Sequence, residues 1–341
     1  TTTKELIASV LGQEKRIFAT QGNYNNHIGV PLTLLATPAD LDLVIVEMGT
    51  NQPGDIQELV EIADPDLGLI TNIGKAHLEK LGSIAGIREE KGALFDWVMG
   101  KEGPIYWYAE DPHLEIAVGD YPDAKAFGPA GSALEGSLLT NRPEGMHVRL
   151  KYQDWDEALE VRSALSGAYN FPNILAAALV GAEQGISPAG IKAGLEAYRP
   201  SNNRSQVLER GGYTIWLDAY NANPTSMAAS VQNAFSLGKE KVALILGDML
   251  ELGPEATELH AEIGHLINQH DPFVTVALGP HMQAMYAVVG GKKASFRDVE
   301  HASSHVADLV SGADLILIKG SRGMALERLV DLIAPEPASA G

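Results

Sequence analysis

The chain has no cysteine among its 341 residues. That excludes disulfides and thiolate metal sites, and it fits a reducing compartment. No apolar run approaches the about 18 residues that a membrane-spanning helix needs. The first residues, Thr1-Thr2-Thr3-Lys4-Glu5, lack the pattern of a secretory leader. These absences predict a cytoplasmic protein without membrane insertion. Basic residues are few: 25 Lys and Arg stand against 44 Asp and Glu, for a formal net charge of −19. Nucleic acid is therefore an unfavourable partner, because its binding requires phosphate neutralisation by basic surface. Smaller anions remain open where helix N-termini and a few cations are concentrated. No internal repeat is visible.

What is present is ample apolar material, 45% of the residues, in a chain whose length predicts about two domains. Leu6/Val10 and Ile7/Leu11 are i,i+4 pairs on a helix ending at Gly12. Leu41–Met48 (LDLVIVEM) reads as a buried parallel strand. A helix over 53–62, a buried strand over 67–73, a helix over 83–99 and a strand over 104–108 follow. The Gly-rich stretch 124–162 alternates weakly and predicts a small antiparallel edge; helices cover 170–184 and 188–197. Arg199-Pro200-Ser201-Asn202-Asn203 is a polar, proline-containing break. Beyond it, strands at 213–218, 241–246, 273–278 and 314–318 alternate with helices at 225–237, 255–269, 299–310 and 322–333. That alternation predicts a doubly wound parallel sheet. The tail from Pro335 is expected to fray. The expected domains are 1–199 and 200–341.

Several constellations carry chemistry. Thr1, Thr2 and Thr3 followed by Lys4 and an amphipathic helix read as the end of a phosphate loop, or as an ordinary helix N-cap. Glu47 ends an apolar strand and His77 follows the next one, where ligands of open α/β sheets gather. A shared Mg²⁺ is one reading, and a surface carboxylate with a capping or core histidine is the other. Lys91 lies in a charged helical stretch, and its spacing favours a solvated face. Asn23, Asn25 and Asn26 belong to an amide-dense turn before an apolar helix, suited to a polar substrate or to helix capping. Asp218 ends a strand, Asn221 and Asn223 precede a helix, and Lys319, Ser321 and Arg322 sit at another strand-to-helix junction. Two cations plus backbone N–H groups there make a carboxylate or phosphate site, or ordinary loop chemistry.

Together these segments resemble the Mur ligases of peptidoglycan synthesis, and within them the branch that adds D-Ala-D-Ala. The similarity runs almost end to end: TTTKE at 1–5, TQGNYNNHIGVPLTLL at 20–35, VEMGTNQPGDI at 46–56, NIGKAHLEKLGS at 72–83, EKG at 90–92, YNFPN at 169–173, DAYNANPTSM at 218–227, LGDMLELG at 246–253 and KGSRGM at 319–324. The EMG, YNANP and GDMLELG strings are the most specific. Resemblance to this family implies an α/β fold: a central P-loop-type, mostly parallel sheet domain and a C-terminal Rossmann-like doubly wound domain. It implies Mg²⁺ ligation by Thr1, Glu47, His77 and a carbamylated Lys91. ATP contacts are implied for Thr1, Thr2, Asn170, Asn173, Arg204 and Asp218, and catalytic roles for Lys91, His77 and Arg204. Asn23, Asn25, Asn26, Asn221, Asn223, Lys319, Ser321 and Arg322 are implied on the substrate side. Tyr169 departs from the family, many of whose members have His there.

The implied reaction is ATP-dependent. The terminal carboxylate of UDP-MurNAc-tripeptide is phosphorylated, and the amine of D-Ala-D-Ala then attacks the acyl phosphate. A monomer is implied. By the family pattern the loop's glycines and Lys, and a UDP-binding domain, precede Thr1, so the chain is expected to be inactive alone. Two alternatives stand beside this reading: another amide ligase of the Mur or folylpolyglutamate type, and a catalytically inactive fragment.

Overall fold

The computed structural model describes residues 1–75 and 78–335, so the frayed tail expected beyond Pro335 lies outside the described residues. The chain divides into two compact units, with the main boundary between Arg199 and Pro200. Two short segments from the first half, Arg142–Glu144 and Leu165–Tyr169, group with the second unit.

The first unit opens with α1 (Thr2–Leu11), β1 (Ile17–Ala19), α2 (Gly29–Ala36), β2 (Leu43–Ile45), α3 (Asp55–Ala63) and β3 (Gly68–Leu69). It continues through α4 (Leu78–Leu81), α5 (Ile84–Gly100), β4 (Ile105–Tyr108), α6 (Pro112–Val118), β5 (Ala124–Gly128), β6 (Leu134–Arg142), β7 (Gly145–Tyr152) and β8 (Leu159–Ser163), and closes on α7 (Phe171–Glu183) and α8 (Pro188–Ala197). Strands β3 to β8 form one sheet in sequence order, parallel from β3 to β6 and antiparallel at β7–β8. The antiparallel edge expected over 124–162 is thus built from long strands on a larger sheet. Helix α1 buries Leu6, Ile7, Val10 and Leu11, as its i,i+4 pairing requires. It packs on α7, which is apolar on nearly every side, and on α8. Gly194 permits that second contact, since a Cβ there would stand 2.5 Å from Val10 Cα. The tight seat fixes the helix N-terminus, and with it Thr1 to Lys4.

Two strands are much shorter than their apolar runs predict. Of Leu41–Met48 only Leu43–Ile45 pairs, with β1 alone, in a two-stranded parallel ribbon. With one ladder partner, β2 is half-buried rather than enclosed, and Val44 is exposed. Likewise only Gly68–Leu69 of the run 67–73 enters a ladder.

The second unit contains β9 (Gln206–Arg210), β10 (Tyr213–Asp218), α9 (Pro224–Ser236), β11 (Val242–Gly247), α10 (Ala256–Ile267), β12 (Val274–Leu278), α11 (Met282–Val288), β13 (Lys293–Phe296), α12 (Val299–Ala302), α13 (Val306–Val310), β14 (Leu315–Lys319) and α14 (Leu329–Ile333). Its sheet runs β13-β12-β11-β14-β10-β9, parallel except for the edge strand β9. Every residue of β11, β12 and β14 is buried, as strands covered on both faces must be. The alternation read from the sequence therefore gives the doubly wound core, whereas β9, β13 and α11 were not anticipated. Two expected helices are broken. The helix expected over 299–310 stops at Ser303, whose Oγ donates to the Glu300 carbonyl at 2.7 Å and competes with helix propagation. The one expected over 322–333 is interrupted at Ala325, with φ of 50°, into 3₁₀ turns at Arg322–Met324 and Leu326–Arg328 and an α-helix that begins only at Leu329.

Candidate functional site

In the first unit, the start of α1 meets the end of β2. Thr1 Oγ1 donates to Glu47 Oε1 at 2.7 Å, and Asn25 Nδ2 donates to the same oxygen at 3.1 Å. The Glu47 backbone is held in turn by its N–H donating to Thr20 Oγ1 at 2.9 Å. Lys4, itself buried, donates from Nζ to the Thr20 carbonyl at 2.7 Å and lies 3.6 Å from Glu47 Oε2. Burial alone would raise the Glu47 pKa. The Thr1 hydroxyl, Lys4 and Asn25 oppose that and favour the charged carboxylate. Oε2 is buried without a hydrogen-bond partner. A spare carboxylate oxygen beside a threonine hydroxyl fits a hard divalent cation such as Mg²⁺. Among the described residues no three His, Asp or Glu side chains gather around one point. His77 lies outside the described residues.

The neighbouring amides are organised rather than loose. Thr3 Oγ1 donates to Asn173 Oδ1 at 2.8 Å, and Asn173 Nδ2 donates to Asn170 Oδ1 at 2.9 Å. The start of α1 and the start of α7 are thereby tied together. Asn26 caps α2 through the Ile28 and Gly29 N–H groups, so its first role is structural, while Asn23 is exposed. Thr2 is half-buried in the first turn of α1.

Lys91, on α5, points its Nζ at the Asn72 carbonyl, 2.8 Å away, rather than into solvent as its charged neighbourhood predicts. Burial lowers its pKa, partly countered by the charge of Asp111. Glu90 is buried and accepts from Thr50 Oγ1, Gly54 N–H and Ile56 N–H at 3.0, 2.7 and 2.8 Å, pinning the loop that opens α3. Asp111 does similar work, capping α6 and accepting from the Ile73 N–H at 2.8 Å. Glu90, written between Glu89 and Lys91, reads in the sequence as part of a surface charge run, which hides its role.

In the second unit, the site lies at the carboxyl ends of β10, β11 and β14. Lys319 is 2% exposed and spends its ammonium on Asp218 Oδ2, at 2.5 Å, and on the Asn221 carbonyl, at 3.2 Å. Asp218 also accepts from Ser230 Oγ and the Ser205 N–H, both at 3.1 Å. Asn221 caps its own turn, and Asn223 forms a capping box with Ser226 at the start of α9. Arg322 reaches outward, 59% exposed, and pairs with Glu327 at 3.0 Å. Arg204 lies over the Tyr220 ring, its Cζ 3.5 Å from the centroid.

The loop after β11, Asp248–Leu252, is held from three sides. Asp248 Oδ1 accepts from the Met282 N–H, Ser321 Oγ accepts from the Leu250 N–H, and His260 Nε2 accepts from the Met249 N–H at 3.0 Å. His260 is fully buried, with Nδ1 2.6 Å from the Ala256 carbonyl, so it carries its proton on Nδ1 and is neutral. Burial, together with His281 stacked at 5.7 Å, depresses its pKa, while the Ala256 carbonyl and Asp248 oppose that. An unfolded chain binds this proton more readily, so stability is full above the ordinary value of 6.5 and falls as pH drops below it. Urea midpoints of the wild type should fall between pH 7.5 and 5.5 more steeply than those of His260→Gln; parallel curves would refute the assignment.

This two-unit α/β chain, with helix N-termini, a buried acid and cations at its strand ends, matches known families over most of its length. Residues 1–181 match the Mur ligase middle domain, and residues 203–322 match the Mur ligase glutamate ligase domain. The chain belongs to the Mur ligase family. Among its relatives it is similar to the UDP-N-acetylmuramoyl-tripeptide–D-alanyl-D-alanine ligase of Bacillus subtilis, with 35% identity over 99% of this chain and 74% of the relative. The Escherichia coli enzyme of the same name is 29% identical over 97% of this chain and 74% of its own length. Among solved structures, MurF from Acinetobacter baumannii superposes with a TM-score of 0.90 at 26% identity, covering 98% of this chain and 74% of that one. MurF from Thermotoga maritima, solved in complex with ADP, gives 0.86 at 27% identity, covering 97% and 76%.

Proposed function

We infer that this chain belongs to an ATP-dependent ligase that joins D-Ala-D-Ala to UDP-MurNAc-tripeptide, in the cytoplasmic synthesis of peptidoglycan precursors. The observation that carries this reading is the match to UDP-N-acetylmuramoyl-tripeptide–D-alanyl-D-alanine ligases over nearly the whole chain, 35% identical in the Bacillus subtilis case. The strand-end geometry supports it. In the reaction proposed, the tripeptide carboxylate takes the γ-phosphoryl group of ATP. The amine of D-Ala-D-Ala then attacks the acyl phosphate, and phosphate leaves from a tetrahedral intermediate. Such chemistry asks the protein mainly for alignment and for charge neutralisation.

Glu47 and Thr1 are the described residues suited to hold Mg²⁺, which when bound supplies charge neutralisation at the phosphates. Lys91 suits carbamylation, because reaction with CO₂ needs a neutral amine and burial favours that form. Asn170 and Asn173 offer amides for the adenine, and Arg204 offers a cation for the phosphates. The Lys319–Asp218 pair orders the loop through Asn221, which leaves Arg322, paired only at the exposed surface with Glu327, as the cation to meet the dipeptide carboxylate.

A substrate panel tests the assignment. Phosphate release by the full-length ligase should be stimulated by D-Ala-D-Ala and not by single amino acids; preference for glutamate or another single amino acid would move the chain to a different branch. Arg204→Ala should lower turnover by about 10²-fold while changing ATP affinity far less, since its charge matters most as the phosphoryl group moves. Near-wild-type turnover would remove Arg204 from the mechanism. Lys91→Arg keeps the charge but offers no amine, so labelled bicarbonate should give a carbamate carbon resonance in the wild type only.

A further inference from the structure

The segment that carries Arg204 is held with unusual care. Asn202, Asn203 and Ser205 all adopt left-handed backbone, with φ of 57°, 58° and 47°. Such conformations cost energy for side-chain-bearing residues, least for Asn and more for Ser, and persist only where the surroundings enforce them. The enforcement is visible. The Tyr220 N–H donates to the Asn203 carbonyl at 3.2 Å, and the Ser205 N–H donates to Asp218 Oδ1 at 3.1 Å. Ser205 Oγ also meets Tyr169 OH at 2.7 Å, and Tyr169 is stacked parallel on Trp216. Two hydrogen bonds therefore bracket Arg204 and press it toward the turn after β10. What it meets there is a ring and not a carboxylate: its Cζ is 3.5 Å from the Tyr220 centroid, and its Nε is buried without a hydrogen-bond partner. The guanidinium of Arg322 approaches the same ring at 5.9 Å.

We propose that Tyr220 is a positioning residue for the phosphoryl-transfer step, an aromatic platform that aims Arg204 at the phosphate. The proposal rests on the reading of Arg204 given above. A carboxylate partner would hold the guanidinium but spend its charge. A π face orients the cation through its quadrupole and leaves the full positive charge available to the phosphate. In so acidic a chain, pairing an arginine with a ring protects the charge from competing carboxylates.

The test compares Tyr220→Phe, Tyr220→Leu, Arg204→Ala and the Tyr220→Leu/Arg204→Ala double variant in the full-length ligase. Tyr220→Phe keeps the ring and should retain kcat within about twofold. Tyr220→Leu should lower kcat about tenfold while KM for ATP moves less than about twofold, because aim rather than affinity is lost. The double variant should be no slower than Arg204→Ala alone. If Arg204→Ala is impaired but Tyr220→Leu is not, or if the two losses multiply, the platform is overturned. If Arg204→Ala is itself fully active, the functional reading fails instead, and the platform is then judged by NMR. The Arg204 Nε–H resonance should carry a ring-current shift in the wild type and Tyr220→Phe, and lose it in Tyr220→Leu. Its absence from the wild type overturns the proposal. Should Tyr220→Leu not fold, Tyr220→Met serves in its place.

Discussion

Lys319→Ala is expected to destabilise the second unit by about 3–5 kcal/mol, the usual cost of leaving one partner of a buried ion pair alone. Lys319 is 2% exposed, and the side chain of Asp218 is only 13% exposed. Removing the ammonium leaves Asp218 with the Ser230 hydroxyl and the Ser205 N–H, and frees the Asn221 carbonyl. Three segments lose their common anchor: the end of β14, the end of β10 and the turn before α9. The melting temperature should fall by roughly 10 °C or more. Asp218→Asn in the Lys319→Ala background should recover part of the loss, since the stranded charge, more than the missing bond, sets the cost. Calorimetry of the wild type and both variants checks this. A drop below about 1 kcal/mol in Lys319→Ala would mean that solvent reaches the pair and that its burial is not energetically felt.

The second sheet was legible in the sequence because its strands are covered on both faces and written as unbroken apolar runs. LILIK at β14 and VALILG at β11 admit little other reading. Not legible were the two half-polar edge strands, β9 and β13, whose side chains are shared between core and solvent and show no clean period. The same logic failed in reverse at Leu41–Met48, where an apolar run predicted burial that a two-stranded ribbon does not provide. For the site, strand-end position picked out Glu47, Asp218 and Lys319, and the family resemblance added Lys91, Arg204 and the amides. The residues that pin the neighbouring loops, Glu90, Asp111 and His260, and the Tyr220 ring beside Arg204, were not legible. Their roles depend on backbone groups and rings brought near by tertiary packing, and no local pattern encodes those partners.

Glu47→Gln should lower Mg²⁺-dependent turnover by about 10²–10³-fold, the scale on which preorganised electrostatic groups act. The substitution keeps the shape and the acceptor for Thr1 Oγ1 and Asn25, and it removes the negative charge. Two roles for that charge are compatible with the contacts, and they part company under this change. If Glu47 serves chiefly to balance buried Lys4, 3.6 Å away, the loss falls on stability, while the Mg²⁺ requirement of the remaining activity stays as it was. If its buried Oε2, which has no hydrogen-bond partner, is a cation ligand, stability changes little and the Mg²⁺ concentration for half-maximal turnover rises. The second outcome is expected. Lys4 keeps its bond to the Thr20 carbonyl whichever residue stands at 47, whereas Oε2 has no hydrogen-bond partner. A Mg²⁺ titration of turnover, run beside thermal melts of both proteins, decides between them, and an unchanged half-maximal Mg²⁺ concentration in Glu47→Gln would remove Glu47 from the metal site.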